Sequence, residues 1–120
     1  MDKICKIDGF SMRKIINKFK TICYYNENNE FHREDGPAIE YADGSKTWIK
    51  NGLYHREDGP AIECANNYKT WCKNGKLHRE DGPAIEYVEG DKEYWYNDIW
   101  YKEIKTDEEW IRFVKLIIFK

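Results

Sequence analysis

No stretch of this sequence approaches the ~20 consecutive apolar residues of a membrane-spanning helix, and the opening MDKICKIDGF holds no uninterrupted apolar segment of secretion-signal length. The expectation is a soluble, unsecreted, cytoplasmic protein. Cysteine is sparse: Cys5, Cys23, Cys64 and Cys72 form no Cys-x-x-Cys pair, which argues for reduced thiols rather than a disulfide framework or a zinc site. An excess of one charge is missing too. Twenty Lys and Arg face 22 Asp and Glu, a formal charge of −2, so no overall field draws nucleic acid or an anionic membrane and any basic site must be local. A glycine-rich phosphate loop, a serine elbow and a metalloprotease helix are all absent. The chain is therefore read as non-enzymatic, without cofactor or metal.

What is present is repetition. HREDGPAIE occurs letter for letter at 32–40, 55–63 and 78–86, a period of 23 within the range of stacked repeats. The likeness runs on: KTWIKNG at 46–52 becomes KTWCKNG at 69–75 and KEYWYND at 92–98, while YYNENNEFHRE aligns with Tyr25 in the Trp slot. The cysteines do not recur in every unit, unlike a framework disulfide. With 120 residues and 41% hydrophobic content, the chain reads as one domain over 1–120: an amino-terminal segment at 1–20, a repeat array at 21–103 and a carboxy-terminal helix at 104–120.

Each unit reads as strands joined by tight turns, so the fold class is mainly β, an elongated antiparallel meander of hairpin repeats. Trp and Tyr, 5 and 9 residues against 5 Phe, suit strands with one apolar face. Asp43-Gly44 and Asn66-Asn67 accept positive φ in a two-residue hairpin, a register that pairs Ile39 with Trp48, Ile62 with Trp71 and Ile85 with Tyr94. The resulting apolar stripe needs a cover. TDEEWIRFVKLIIFK offers one: Thr106 stands three residues before Glu109, a capping-box spacing, and Trp110, Phe113, Val114, Ile117 and Ile118 share a helical face. A helix over about 107–119 is expected to dock on the sheet or on a partner. Ser11 before Met12, Ile15, Ile16 and Phe19 predicts a second, short helix near the amino terminus.

The 23-residue period, the W-x-x-N-G-K-x-H core in WCKNGKLH and the DG turn resemble MORN repeats. The form NGKLHREDGPAIEY is similar to a variant found in proteins of large DNA viruses and phages. The resemblance covers roughly residues 24–103. It implies an elongated sheet of β-hairpin repeats, a viral source with the host cytosol as location, and a scaffold, protein-binding or phospholipid-binding role. The chain departs from the MORN pattern where Arg33, Arg56 and Arg79 follow the His, where Thr47 and Thr70 precede the Trp, and in a longer loop ending in Asp-Gly-Pro.

Two sets of residues are candidate binding groups. His32, Arg33, His55, Arg56, His78 and Arg79 recur in the loops, where Arg could fork onto a carboxylate or phosphate. The structural reading instead has Asp35, Asp58 and Asp81 accepting backbone amides in each turn, with Arg and Glu pairing locally and Gly-Pro fixing re-entry into the strand. The second set is Lys46, Trp48 and Lys50, then Lys69, Trp71 and Lys73, with Tyr94 in the third row. Cations flanking an aromatic on one face could hold a base and phosphates, while the plain reading makes the rings core and the Lys stems snorkel past them. Repeats two strands apart lie roughly 9–10 Å from one another, too far for the histidines to share a metal or to converge on a reacting atom. The expected function is a protein-binding or self-association module, possible as a homodimer. The alternatives are sequestration of a small anionic ligand such as a nucleotide signal, and binding at a phosphoinositide surface; nucleic acid ranks last.

Overall fold

The computed structural model describes residues 2–7 and 10–118. An amino-terminal sheet opens with β1 (Asp2–Ile7), β2 (Phe10–Ile16) and β3 (Ile22–Tyr25). Each repeat then supplies four two-residue strands. The first gives β4 (Ile39–Glu40), β5 (Lys46–Thr47), β6 (Ile49–Lys50) and β7 (Leu53–Tyr54). The second gives β8 (Ile62–Glu63), β9 (Lys69–Thr70), β10 (Cys72–Lys73) and β11 (Lys76–Leu77). The third gives β12 (Ile85–Glu86), β13 (Lys92–Glu93), β14 (Trp95–Tyr96) and β15 (Ile99–Trp100), before helix α1 (Asp107–Ile118).

The architecture is mainly β, antiparallel and meander-like, with the carboxy-terminal helix where the capping signal placed it. One sheet runs β1-β2-β3-β4-β5-β8-β9-β12-β13, and three hairpins, β6-β7, β10-β11 and β14-β15, leave it. Each hairpin turns at a dipeptide with both residues at positive φ: Asn51-Gly52 (49°, 80°), Asn74-Gly75 (51°, 80°) and Asn97-Asp98 (47°, 68°). This is the two-residue turn whose twist matches the flanking strands, which explains the recurrent Asn-Gly. The turns also tie the hairpins into a row, since the amides of Gly52, Gly75 and Asp98 donate to the carbonyls of Phe31, Tyr54 and Leu77 in the preceding unit.

The register within the large sheet differs from the expected one. Ile39 lies opposite Thr47, not Trp48, and Glu40 opposite Lys46. The connection has three residues, because Gly44 at φ 95° donates to the Tyr41 carbonyl while the Tyr41 amide donates to Ser45. Asn67 (76°) and Gly90 (101°) do the same, a turn followed by a left-handed bulge residue. The one-residue difference moves Trp48 off the strand pair and puts Thr47 and Thr70, both buried, between isoleucines. Across one face of the sheet run Cys23, Ile39, Thr47, Ile62, Thr70, Ile85 and Glu93. Across the other run Ile22, Glu40, Lys46, Glu63, Lys69, Glu86 and Lys92, an alternation of charge in which every strand faces an opposite sign from Glu40 onward.

The apolar face is covered by the hairpin layer rather than by the helix. Ala38, Ile39 and Ile49 pack together with Cys23 and Phe31. Helix α1 instead seals the end of the array: Trp110 and Val114 are buried against Tyr94, with Tyr96, Tyr101, Ile104 and Phe113 around them. The Thr106 hydroxyl accepts the Glu109 amide at 3.2 Å and donates to the Glu109 carboxylate at 3.1 Å, which also accepts the Lys105 amide at 3.3 Å. The two residues of the capping-box spacing therefore cap the helix, with the carboxylate bonding the amide one residue before Thr106. Of the expected helical face, Trp110 and Val114 are buried, Phe113 and Ile117 half-buried and Ile118 exposed.

The short amino-terminal helix does not exist; that segment is β2. Phe10 to Ile15 pairs with β1 on one side and Arg13 to Ile16 with β3 on the other, with Ile15 between Asp2 and Cys23. Two ladders of backbone hydrogen bonds and the β-branched Ile15-Ile16 outweigh a helical spacing of apolar residues, and Phe19, counted on that face, is exposed.

Candidate functional site: the HREDGP loops and the groove between them

Each loop performs the same set of contacts, and the arginine is at its centre. Arg56 Nε donates to Asp58 at 3.0 Å, and Nη1 reaches the Pro60 carbonyl at 3.0 Å and Glu63 at 3.3 Å. Its guanidinium carbon stands 3.7 Å from the centre of the Trp48 ring. Arg79 repeats this with Asp81, Pro83, Glu86 and Trp71, the ring at 3.9 Å. Arg33 does so with Asp35, Pro37, Glu40 and a ring at 4.2 Å, which is Tyr24. Tyr24 rather than Tyr25 therefore fills the Trp slot of the first unit. Its amide donates to Ala38, as those of Trp48 and Trp71 donate to Ala61 and Ala84. Tyr25 instead stacks on Phe31 at 4.9 Å and lies beneath Arg13.

The glycine of each loop is required by that packing. A Cβ on Gly36, Gly59 or Gly82 would sit 2.8 Å from the guanidinium carbon of Arg33, Arg56 or Arg79, inside van der Waals contact. The loop aspartates thus accept Arg Nε, where the sequence reading gave them backbone amides. The glutamate that pairs with each Arg is the last residue of the block, Glu40, Glu63 or Glu86.

The histidines fasten one repeat to the next. His32, His55 and His78 accept, at Nδ1, the backbone amides of Asn51, Asn74 and Asn97, at 2.8, 2.9 and 3.0 Å. Those amides open the turn of the following hairpin. Accepting at Nδ1 leaves the ring proton on Nε2, from which His55 donates to Glu57 and His78 to Glu80. The His55 hydrogen bond and then the charge of Lys73 hold the Glu57 carboxyl below its ordinary range. Lys50 and Lys73 reach back to Glu34 and Glu57 at 3.9 and 3.5 Å.

Lys46 and Lys69 do not line the groove; they stand in the large sheet opposite Glu40, Glu63 and Glu86, the glutamates that pair with the loop arginines. Trp48 and Trp71 each stand between a strand of the large sheet and a strand of a hairpin, so the expected Lys-Trp-Lys rows are divided. Lys46 and Lys69 belong to the charge ladder, while Lys50 and Lys73 belong to the loops. Tyr94 has no arginine above it. Trp110 takes that place, with ring centres 5.6 Å apart, its indole N–H donating to the Arg79 carbonyl and the Tyr94 hydroxyl donating to Asp107 at 2.6 Å. Burial and Asp107 raise the Tyr94 phenol far above its usual range.

Between the first two loops lies a groove of about 710 Å³ lined by Arg33, Glu34, Asp35, Gly36, Trp48, Lys50, His55, Arg56, Glu57 and Asp58. Of the predicted binding residues it gathers five: Arg33, Trp48, Lys50, His55 and Arg56. Its acidic lining, Glu34, Asp35, Glu57 and Asp58, comes from the Glu and Asp that follow every loop Arg, so the recurring polar site of the loops carries its acids as well as its His and Arg. Nε and Nη1 of both groove arginines are matched within the chain, and the most exposed groups of the groove are the carboxylates of Glu34, Asp35, Glu57 and Asp58, so an anion would meet negative charge before it reached the remaining Nη2 groups. Among the described residues no three His, Cys, Asp or Glu side chains are placed to hold a metal ion, and no helix is long and apolar enough to cross a membrane. Comparison with protein families, curated proteins and solved structures finds no match to this chain.

Proposed function

We propose that this chain is a non-enzymatic repeat scaffold that engages another protein or a second copy of itself. The observation that carries the reading is the state of the three loop arginines, each committed to a ring, an aspartate, a proline carbonyl and a glutamate of its own chain. With Nε and Nη1 of each guanidinium committed to the fold and only Nη2 left over, a small anion or a phospholipid headgroup would find one edge of each arginine rather than its full fork, and recognition falls chiefly to the outward apolar side chains. Leu53, Tyr54, Ile99 and Trp100 on the hairpin row and Leu116 on α1 are between 45% and 65% exposed. Aromatic and aliphatic anchors of this kind are what protein interfaces bury.

Native mass spectrometry of the protein purified from cells, with Ile99→Asp and Trp100→Asp beside the wild type, tests the reading. A protein or second copy retained by the wild type and lost from the variants, with circular dichroism unchanged, supports it. A small molecule retained in the native spectrum would overturn it in favour of sequestration in the groove.

A further inference from the structure

The two ends of the large sheet are finished differently. At one end β13 is two residues long and leads to the helix that seals Tyr94. At the other, β1 pairs only with β2 and offers six residues of strand edge, the longest unpaired edge among the described residues. An edge of this kind is a template for another strand.

The backbone directions along β1 follow from the hydrogen bonds of its neighbours. The Asn17 amide donates to the Thr21 carbonyl at 3.1 Å, so positions 17 and 21 form a hydrogen-bonded pair between β2 and β3. Alternation then turns the backbone of Ile15 and Arg13 toward β3, and that of Lys14, Met12 and Phe10 toward β1. Their partners Lys3, Cys5 and Ile7 face β2, which leaves the N–H and C=O groups of Asp2, Ile4 and Lys6 at the outer edge.

Those three residues are arranged to pair with themselves. Antiparallel pairing of DKICKI with a second copy about Ile4 puts Asp2 opposite Lys6, Ile4 opposite Ile4, and Lys6 opposite Asp2, and each pair falls where both backbones present hydrogen-bonding groups. Lys3 then lies opposite Cys5, and no like charges meet. A slip of one residue in one direction sets Lys3 opposite Lys6 twice, and a slip in the other removes every opposite-charge pair. We propose that β1 is a homodimerisation edge, pairing antiparallel with β1 of a second copy about a two-fold axis at Ile4 and joining two nine-stranded sheets. The arrangement is isologous, so it closes at two copies. It specifies the self-association arm of the scaffold reading and rests on that reading. Six residues of edge form a small interface, so the dimer is expected to be reversible and concentration-dependent.

Sedimentation velocity of the full chain across a concentration series is the test. The wild type should pass from monomer to dimer. Ile4→Pro removes an outward amide that β2 does not use, so it should raise Kd about tenfold or more while thermal unfolding holds, because two central hydrogen bonds are lost. Asp2→Lys and Lys6→Asp should each weaken self-association, and an equimolar mixture of the two should form a heterodimer, since each then faces opposite charge at both positions. A wild type that stays monomeric, or a mixture that fails to pair when both variants are folded, overturns the proposal. A dimer that survives Ile4→Pro but is lost in Trp100→Asp also overturns it and leaves the scaffold reading standing on the hairpin row.

Discussion

Replacing Arg56 by Lys keeps the charge and removes the fork and the plane, which separates a structural arginine from one held ready for a ligand. In the folded chain the guanidinium lies on Trp48 at 3.7 Å and bonds Asp58, the Pro60 carbonyl and Glu63, with its side chain 20% exposed. The stack is worth about 0.5–2 kcal/mol at such a site. The bond to the Pro60 carbonyl adds about 1 kcal/mol. The pair with Asp58, whose carboxylate is 87% exposed, adds little because water screens it. The expected loss is about 1–3 kcal/mol for Arg56→Lys and about 2–4 kcal/mol for Arg56→Ala, large against the ~5–15 kcal/mol that holds a domain together. Urea unfolding followed by far-ultraviolet circular dichroism measures it. A cycle with Trp48→Ala should return a coupling of about 1 kcal/mol, since removing the ring leaves the arginine nothing to lie on. If Arg56→Lys costs less than ~0.5 kcal/mol, or the coupling is zero, the fastening argument is wrong.

Four further outcomes follow from the same geometry. Gly59→Ala forces a Cβ against Arg56 and should cost about 1–3 kcal/mol in the same urea assay, whereas Gly59→Ala in an Arg56→Ala background should cost less because the obstruction is gone. The Glu57 carboxyl, held down chiefly by His55, contributes stability that is present above its unfolded pKa and lost as pH falls through its lower folded pKa; its carboxyl titration by NMR should move back up in His55→Ala. Trp110→Ala empties the seal over Tyr94 and should cost about 3–5 kcal/mol by thermal unfolding, with α1 losing protection first in hydrogen exchange. Burial, with Asp98 adding to it, pushes the Cys72 thiol up to about 11, so a thiol reagent at pH 8 should leave Cys72 unlabelled until denaturant is added.

The sequence carried the period, the mainly β class and the helix boundary because each rests on local chemistry. Thr106 and Glu109 lie one turn apart, and an Asn-Gly pair at positive φ is the cheapest two-residue hairpin. The register was not legible, because Asp43-Gly44 suits a two-residue and a three-residue connection equally, and the choice depends on packing Thr47 against Ile39 and Ile62. Segment 10–16 carried a helical spacing overridden by two flanking strands that only tertiary structure supplies. At the site, the loop residues were found but their partners were not: His32 meets Asn51 and Arg56 meets Trp48 across repeats, and the only trace in the sequence is a His-to-Asn spacing of 19 in every unit and a ring-to-Arg spacing of 8 that becomes 9 between Tyr24 and Arg33. The two lysines of each Lys-Trp-Lys run were grouped by alternation, which holds within one strand and fails here because the chain changes sheets at the Trp.

The central claim is that the identical blocks bind the repeats to one another, and the stack of each loop arginine on the ring that precedes its block, read at the arginine Nε–H, reports on it directly. A nitrogen–proton NMR spectrum of the intact chain should show the Nε–H resonances of Arg33, Arg56 and Arg79 displaced by ring-current shifts from Tyr24, Trp48 and Trp71, and exchanging with water more slowly than that of Arg112. Arg112, exposed on α1, supplies the free reference. Three loop signals that exchange as fast as Arg112 and carry no ring shift would mean that the guanidinium groups are open to solvent and to ligands, and the account would fall.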